Sequence, residues 1–272
     1  MRLDRRERRS ASRHGPVAQL LIAWAPLSVI LVAYAAAQWL NAPIRERGHG
    51  TGTNRLGIGV HVAGPADVDR GVFGAVPSVW LQAHLVDGSA HWYDAAAALV
   101  YVTHFVSIPL VTGIVWFGLR DRFKAWVVAV LAFTTLGTGG YIAYPAAPPW
   151  LASDRGVIGA VDRISGLGWD YLHLDAVAKL TVSGQGASNP VAAMPSLHAG
   201  AALLVALFVW PVANNLGRAA LLGYVMLMAA ALVYSGEHYV VDVVAGWLTA
   251  GVAVAVGAAV GRQRPGSPGA GT

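Results

Sequence analysis

Residues 235–261 read SGEHYVVDVVAGWLTAGVAVAVGAAVG, and how they are read decides the fold. After Asp242 no charged side chain follows until Arg262. The run is too long for one strand and lacks the period-two alternation of an outer-membrane barrel, so it reads as a membrane-spanning helix. His238 and Asp242 stand at its start. An ionisable residue within a spanning helix is expensive and therefore points to function.

Five similar stretches precede this one, near 16–40, 94–118, 125–147, 197–213 and 218–236, with the sixth at 239–261. A hydrocarbon core of about 30 Å needs roughly 17–25 helical residues; each stretch fits, the fourth only just. The composition agrees. Of 272 residues 56% are hydrophobic and 12% charged, against about a quarter charged in soluble domains. That balance excludes a disordered chain and argues against a soluble enzyme. Trp39, Trp92, Trp116, Trp126, Trp150 and Trp210 lie near helix ends, as interfacial aromatics should. The first stretch is long for a signal-peptide core and reads as a retained helix. The expected fold is all-α: a polytopic membrane protein with a six-transmembrane-helix bundle at 16–261, between a basic tail at 1–15 and a flexible tail at 262–272.

Charge sets the orientation. Net charge is +5, with the excess in Arg2, Arg5, Arg6, Arg8, Arg9 and Arg13. A nucleic-acid-binding arm is one reading of that cluster; a cytoplasmic flank attracted to anionic lipid is the simpler one, and it implies no nucleic-acid partner. With the N-terminus inside, Arg120, Arg122, Lys124, Arg218, Arg262 and Arg264 also fall on short inside segments, 12 of the 19 basic residues in all. The bias places both termini in the cytoplasm and two long loops outside. In the first loop, residues 41–64 are Gly-rich. The following part, with Asp67, Asp69, Val72, Phe73, Val76, Trp80, Leu81 and Leu85, suits short helices lying on the membrane surface. The second loop, 148–196, opens with Pro-Pro and closes with NPVAAMPS. Gly246, Gly251 and Gly257 permit close packing of the last helix, within or between chains.

Three polar segments remote in sequence meet at the outer face in this topology: Tyr141–Trp150, Asn189–Gly200 and Ser235–Asp242. His238 and Asp242 are four apart and share a helix face. A carboxylate on one ring nitrogen fixes the tautomer and frees the other nitrogen as nucleophile or base. His198 enters from another helix, in its first turn, where free N–H groups and the positive helix end suit a phosphate. Two histidines beside an anion site are the parts for phosphoryl transfer through a phosphohistidine: one imidazole attacks phosphorus, the other protonates the departing oxygen.

Plainer readings compete. A membrane histidine often only bridges helices by hydrogen bonding, the first reading for His104 midway along the second helix. A metal held by His198, His238 and Asp242 lacks a pattern such as H-E-x-x-H. Ser196 is not in a G-x-S-x-G context, and its ordinary role is a helix cap. With no cysteine, disulfides, thiolate catalysis and Cys-ligated zinc or iron–sulfur sites are excluded.

PSLHAG, followed some forty residues later by HYVVD ahead of Ala-Gly-Trp, resembles the type 2 phosphatidic acid phosphatase superfamily. The strings YPAAPPW, NPVAAMPSLH and EHYVVD are similar to its inositol phosphorylceramide synthase-like branch, over roughly residues 90–260. The resemblance implies His238 as nucleophile, Asp242 as its orienting partner, His198 as acid for the leaving group and Ser196 as a phosphate contact, with no metal or other cofactor. Tyr144 and Asn189, which open the first two strings, complete the expected substrate contacts. The superfamily's first motif carries a lysine and an Arg-Pro, and its third an arginine six residues before the histidine; here the first has no basic residue and Leu232 holds the other position. A cation from elsewhere is therefore expected, Arg155 first, then Arg163, Lys179 and Arg70.

The expectation is a metal-independent integral-membrane enzyme with its site at the extracytoplasmic face. It acts on a lipid-linked phosphate and passes a phosphorylated headgroup to an alcohol acceptor. Hydrolysis of a lipid phosphate or polyprenyl pyrophosphate is the alternative outcome at the same site. A non-catalytic lipid-binding or transport protein is the rival from another class.

Overall fold

The computed structural model describes residues 15–46 and 52–262. The N-terminal arginines and the tail beyond Arg262 lie outside the described residues. The remainder is helical: α1 (Pro16–Trp24), α2 (Ser28–Glu46), α3 (Ala63–Phe73), α4 (Pro77–Leu85), α5 (Trp92–Gly118), α6 (Phe123–Ala143), α7 (Pro149–Asp154), α8 (Leu167–Tyr171), α9 (Asp175–Ala187), α10 (Leu197–Val209), α11 (Asn215–Tyr234) and α12 (Val240–Arg262). A 3₁₀ turn at Ala25–Leu27 joins α1 to α2, and Pro26 lies within it.

All six expected apolar helices are present, and the chain is an integral membrane protein. Among the described residues five segments are long and apolar enough to cross a membrane: Pro16–Ile44, Trp92–Gly118, Arg120–Ala143, Asn215–Tyr234 and Val240–Arg262. The fourth, Leu197–Val212, is shorter, about 24 Å at 1.5 Å per residue. It can be short because protein surrounds it. Its Ala201, Leu204, Val205 and Phe208 pack against α5, α6 and α12, while Ala199, Ala202 and Ala206 pack against α11. The other helices turn large apolar side chains outward, among them Leu31, Val32, Phe105, Leu110, Leu227 and Leu248. Water would penalise that surface and hydrocarbon does not.

Trp126 departs from the interfacial pattern. It is fully buried, and its indole N–H donates to Thr112 Oγ1 at 2.8 Å, tying α6 to α5. Closeness to a helix end could not reveal which way the ring turns. At that same end of the bundle, Arg122 donates to the Phe208 carbonyl at the close of α10. Arg120, Lys124, Arg218 and Arg262 occupy the helix termini on this side too. At the other end α5 is secured by Asp94, which accepts from the Tyr234 hydroxyl at 2.6 Å.

The two long loops carry the five short helices. The backbones of three loop segments pair: His61 bridges Ala146, and Ala146 bridges Ala192. Ala147 N–H donates to His61 O, Ala146 N–H to Val191 O and Ala193 N–H to Ala146 O. Period-two patterning cannot signal such single-residue bridges. They join the first loop to the end of the third apolar stretch and to the closing part of the second loop.

Candidate active site

Ser196 caps α10. Its Oγ accepts from Ala199 N–H at 3.3 Å, and the residue is fully buried. The ordinary role of a serine before a helix is thus realised, and it sets His198 in the first turn. Both ring nitrogens of His198 are buried and without a hydrogen-bond partner.

His238 lies in the tight connection between α11 and α12. Gly236 adopts φ 74°, and a Cβ there would approach Asp162 O to 2.7 Å, so the turn requires glycine. His238 Nδ1 then stands 3.6 Å from Asp242 Oδ2, the pairing the i,i+4 spacing predicts, at a separation longer than a good hydrogen bond. That same Oδ2 accepts from Tyr239 N–H at 2.9 Å, while Oδ1 has no partner.

The start of α12 is capped from a distance. Asp69 on α3 accepts from Val240 N–H through Oδ2 at 2.8 Å and from Val241 N–H through Oδ1 at 3.0 Å. It is 1% exposed. Burial pushes its carboxyl above the ordinary value, against the two backbone donors that pull it down. Asp69→Ala leaves both donors orphaned. The expected loss is about 2 kcal/mol, read as a lower thermal midpoint in detergent. An unchanged midpoint would mean that other contacts hold the helix start.

Two helices bring the histidines together. Ser196 N–H donates to the Asp242 carbonyl at 2.9 Å, so the first turns of α10 and α12 touch through their backbones. The His198 and His238 ring centroids are 5.7 Å apart. Three α5 side chains border His198: Tyr101 stacks on it at 5.0 Å and 20°, His104 lies against it at 4.0 Å and 37°, and Phe105 meets it edge-on at 6.2 Å. His104 Nδ1 is buried without a hydrogen-bond partner, so the helix-bridging reading fails for that nitrogen.

Beside His238, the carboxylate of Glu237 receives both Nε and Nη2 of Arg163 at 2.9 Å. It also accepts from Ser165 Oγ at 2.6 Å and Gln185 Nε2 at 3.1 Å. The guanidinium sits 5.2 Å from the Trp150 ring centroid. Arg163, the second sequence candidate, is therefore the basic residue joined to the chain neighbour of His238.

Arg155, the first candidate, occupies the C-terminal cap of α7. Its Nε and Nη2 are buried and unpartnered, and burial pushes its pKa down. No described contact joins it to the histidines. Tyr144 stacks on His61 at 3.8 Å and 8°. It lines a groove of about 400 Å³ with Gly140, Met194, Pro195, Leu248 and Val252. Asn189 is buried beside α2: its Oδ1 accepts from Val191 N–H at 3.2 Å, and its Nδ2 is unpartnered. Of the seven predicted site residues, Ser196, His198, His238 and Asp242 form one cluster. Tyr144 flanks it, and Arg155 and Asn189 lie apart.

Sequence reasoning missed the Glu237–Arg163 clasp and the Asp69 cap. Glu237 carried a usable signal, because a carboxylate just before a spanning helix needs a partner. Asp69 carried none beyond being acidic in a half-apolar loop. Among the described residues no three His, Asp or Glu side chains converge as metal ligands.

The chain matches the PAP2 superfamily over residues 67–256, a range that contains all these groups except those before Asp67. It is 26% identical over 208 residues to the phosphoinositol dihydroceramide synthase of Bacteroides thetaiotaomicron, covering 69% of this chain and 64% of that one. It is 36% identical over 108 residues to the inositol phosphorylceramide synthase catalytic subunit aur1 of Schizosaccharomyces pombe, covering 39% of this chain and 25% of that one. The chain thus spans less than two thirds of the length of either curated relative. No solved structure matches it.

Proposed function

We propose that this chain, which belongs to the PAP2 superfamily, transfers a phosphorylated headgroup from a lipid diester to an alcohol by way of phospho-His238. The observation that carries this reading is the meeting of His198 and His238 at 5.7 Å, with Asp242 Oδ2 3.6 Å from His238 Nδ1. In the reacting site Asp242 closes this 3.6 Å separation to a hydrogen bond on Nδ1–H and leaves Nε2 free. Nε2 attacks phosphorus, the P–N bond forms, and the bond to the lipid oxygen breaks as that oxygen takes a proton from His198. In the second half-reaction the acceptor hydroxyl gives its proton to His198 and attacks phosphorus, and the P–N bond breaks. His198 ends as it began.

Charge argues for a diester. Arg163 is neutralised by Glu237, so the pair offers directed donors and little net charge. A phosphodiester monoanion needs less positive charge than a phosphomonoester dianion. The relatives' names supply the first substrates to try, a phosphoinositol donor and a ceramide-type acceptor. The apolar groove lined by Tyr144, Leu248 and Val252 suits a lipid chain entering from the bilayer. An extracytoplasmic site is supported by the positive-inside rule, because Arg120, Arg122, Lys124, Arg218 and Arg262 occupy the helix ends opposite the histidines.

The test uses detergent-purified full chain, headgroup-labelled phosphatidylinositol and ceramide, in EDTA. The expected result is labelled inositol phosphorylceramide with an equal amount of diacylglycerol. Release of labelled headgroup to water alone would replace transfer with hydrolysis, and no donor cleavage across a panel of diesters would overturn the reading.

A further inference from the structure

The third histidine is unaccounted for by a two-histidine mechanism. His104 lies about three turns, on the order of 18 Å, into α5, yet its ring touches His198 at 4.0 Å. Ring contact alone needs no nitrogen, and a phenylalanine would supply it. His104 Nδ1 is nevertheless buried and unpaired. Among the described residues no carboxylate reaches the ring to orient it as a second nucleophile. An unpaired buried polar atom is costly and is normally completed by a partner.

The chemistry beside His198 says what that partner is. His198 handles the proton of the oxygen that leaves phosphorus and, by microscopic reversibility, of the hydroxyl that arrives. Both oxygens belong to lipid alcohols. The α5 neighbours Val102, Phe105 and Val106 are exposed on the apolar surface, so a lipid reaching His198 along α5 remains in hydrocarbon until its polar group arrives. We propose that His104 is a further substrate-binding residue, whose imidazole nitrogen hydrogen-bonds the polar group of the acceptor lipid alcohol and holds its hydroxyl against His198. The inference deepens the transfer reading above and rests on it.

Two substitutions separate the nitrogen from the ring. His104→Phe keeps the ring contact and removes the nitrogens. His104→Asn keeps a polar atom near the Nδ1 position and gives up the ring contact. Binding of a short-chain ceramide to each full-length protein is measured by calorimetry, and donor cleavage is measured separately with labelled phosphatidylinositol. In His104→Phe, ceramide binding is expected to weaken about tenfold, the scale of one lost hydrogen bond, with the donor KM unchanged and product shifted from transfer towards release to water. His104→Asn is expected to recover much of the ceramide affinity. Equal ceramide affinity in wild type and His104→Phe would overturn the proposal, as would a uniform drop of donor and acceptor functions in both variants. Failure of the wild type to cleave any donor would instead sink the transfer reading, while the ceramide arm still decides the role of His104.

Discussion

His238→Ala is expected to lower headgroup transfer by about 10⁴-fold or more, the scale seen when a covalent nucleophile is removed. The chain should remain folded. Asp242 Oδ2 keeps the Tyr239 N–H, and Asp69 keeps the Val240 and Val241 N–H groups, so the start of α12 does not depend on the imidazole. Removing the ring leaves a small cavity at a residue 3% exposed, which lowers the thermal midpoint modestly. The decisive readout is the trapped intermediate. Wild type quenched in base should carry acid-labile headgroup label on the protein, and His238→Ala should carry none. His198→Ala should still accumulate some, because it loses the proton donor and not the attacking nitrogen. Label persisting in His238→Ala would move the nucleophile elsewhere.

Gly246→Val should also damage the protein, by a different route. A Cβ at Gly246 would lie 2.1 Å from the Ser196 carbonyl oxygen and 3.3 Å from Gly200 N. Those atoms are backbone at the start of α10, so no side chain can swing aside and the helices must part. Separation by an ångström displaces the His238 pair from His198, and a misplacement of that size costs about 10²-fold in rate. Overpacking adds a stability loss of about 1–3 kcal/mol. Gly251→Ala on the same helix is the control, because nothing lies within 4 Å of its Cβ position, and it should be silent in both activity and thermal midpoint. Equal behaviour of the two variants would show that the α10–α12 approach does not set the site.

Gly246 also marks the limit of what could be read beforehand. The apolar runs carried the helices, because span length and hydrophobicity are local properties. Placing His198 and His238 together needed only the count of crossings, and both histidines could be named from their chain positions. Which glycine touches another helix was not readable: Gly246, Gly251 and Gly257 look alike in sequence, yet Gly246 and Gly257 meet backbone while Gly251 faces open space. The same holds for Trp126, an interfacial residue by position and a core residue in fact. Which basic residue pairs with Glu237 beside His238 was not readable, for a related reason. Arg155 is nearer to YPAAPPW in sequence, but Arg163 is the one that folds back onto Glu237, a contact across 74 residues. Long-range pairings of loop side chains leave no periodic trace.

The backbone bridges His61–Ala146–Ala192 bear on any attempt to redesign this protein. They occupy the N–H groups of Ala146 and Ala147, so YPAAPPW spends its amides on architecture. They also make three stretches from distant parts of the chain a single grafting unit. A chimera that imports one long loop from a relative would strand the hydrogen-bonding groups of the two stretches left behind. Residues around 58–62, 144–150 and 189–196 are best exchanged together, and evolution of new specificities in this scaffold is under the same constraint of coordinated change.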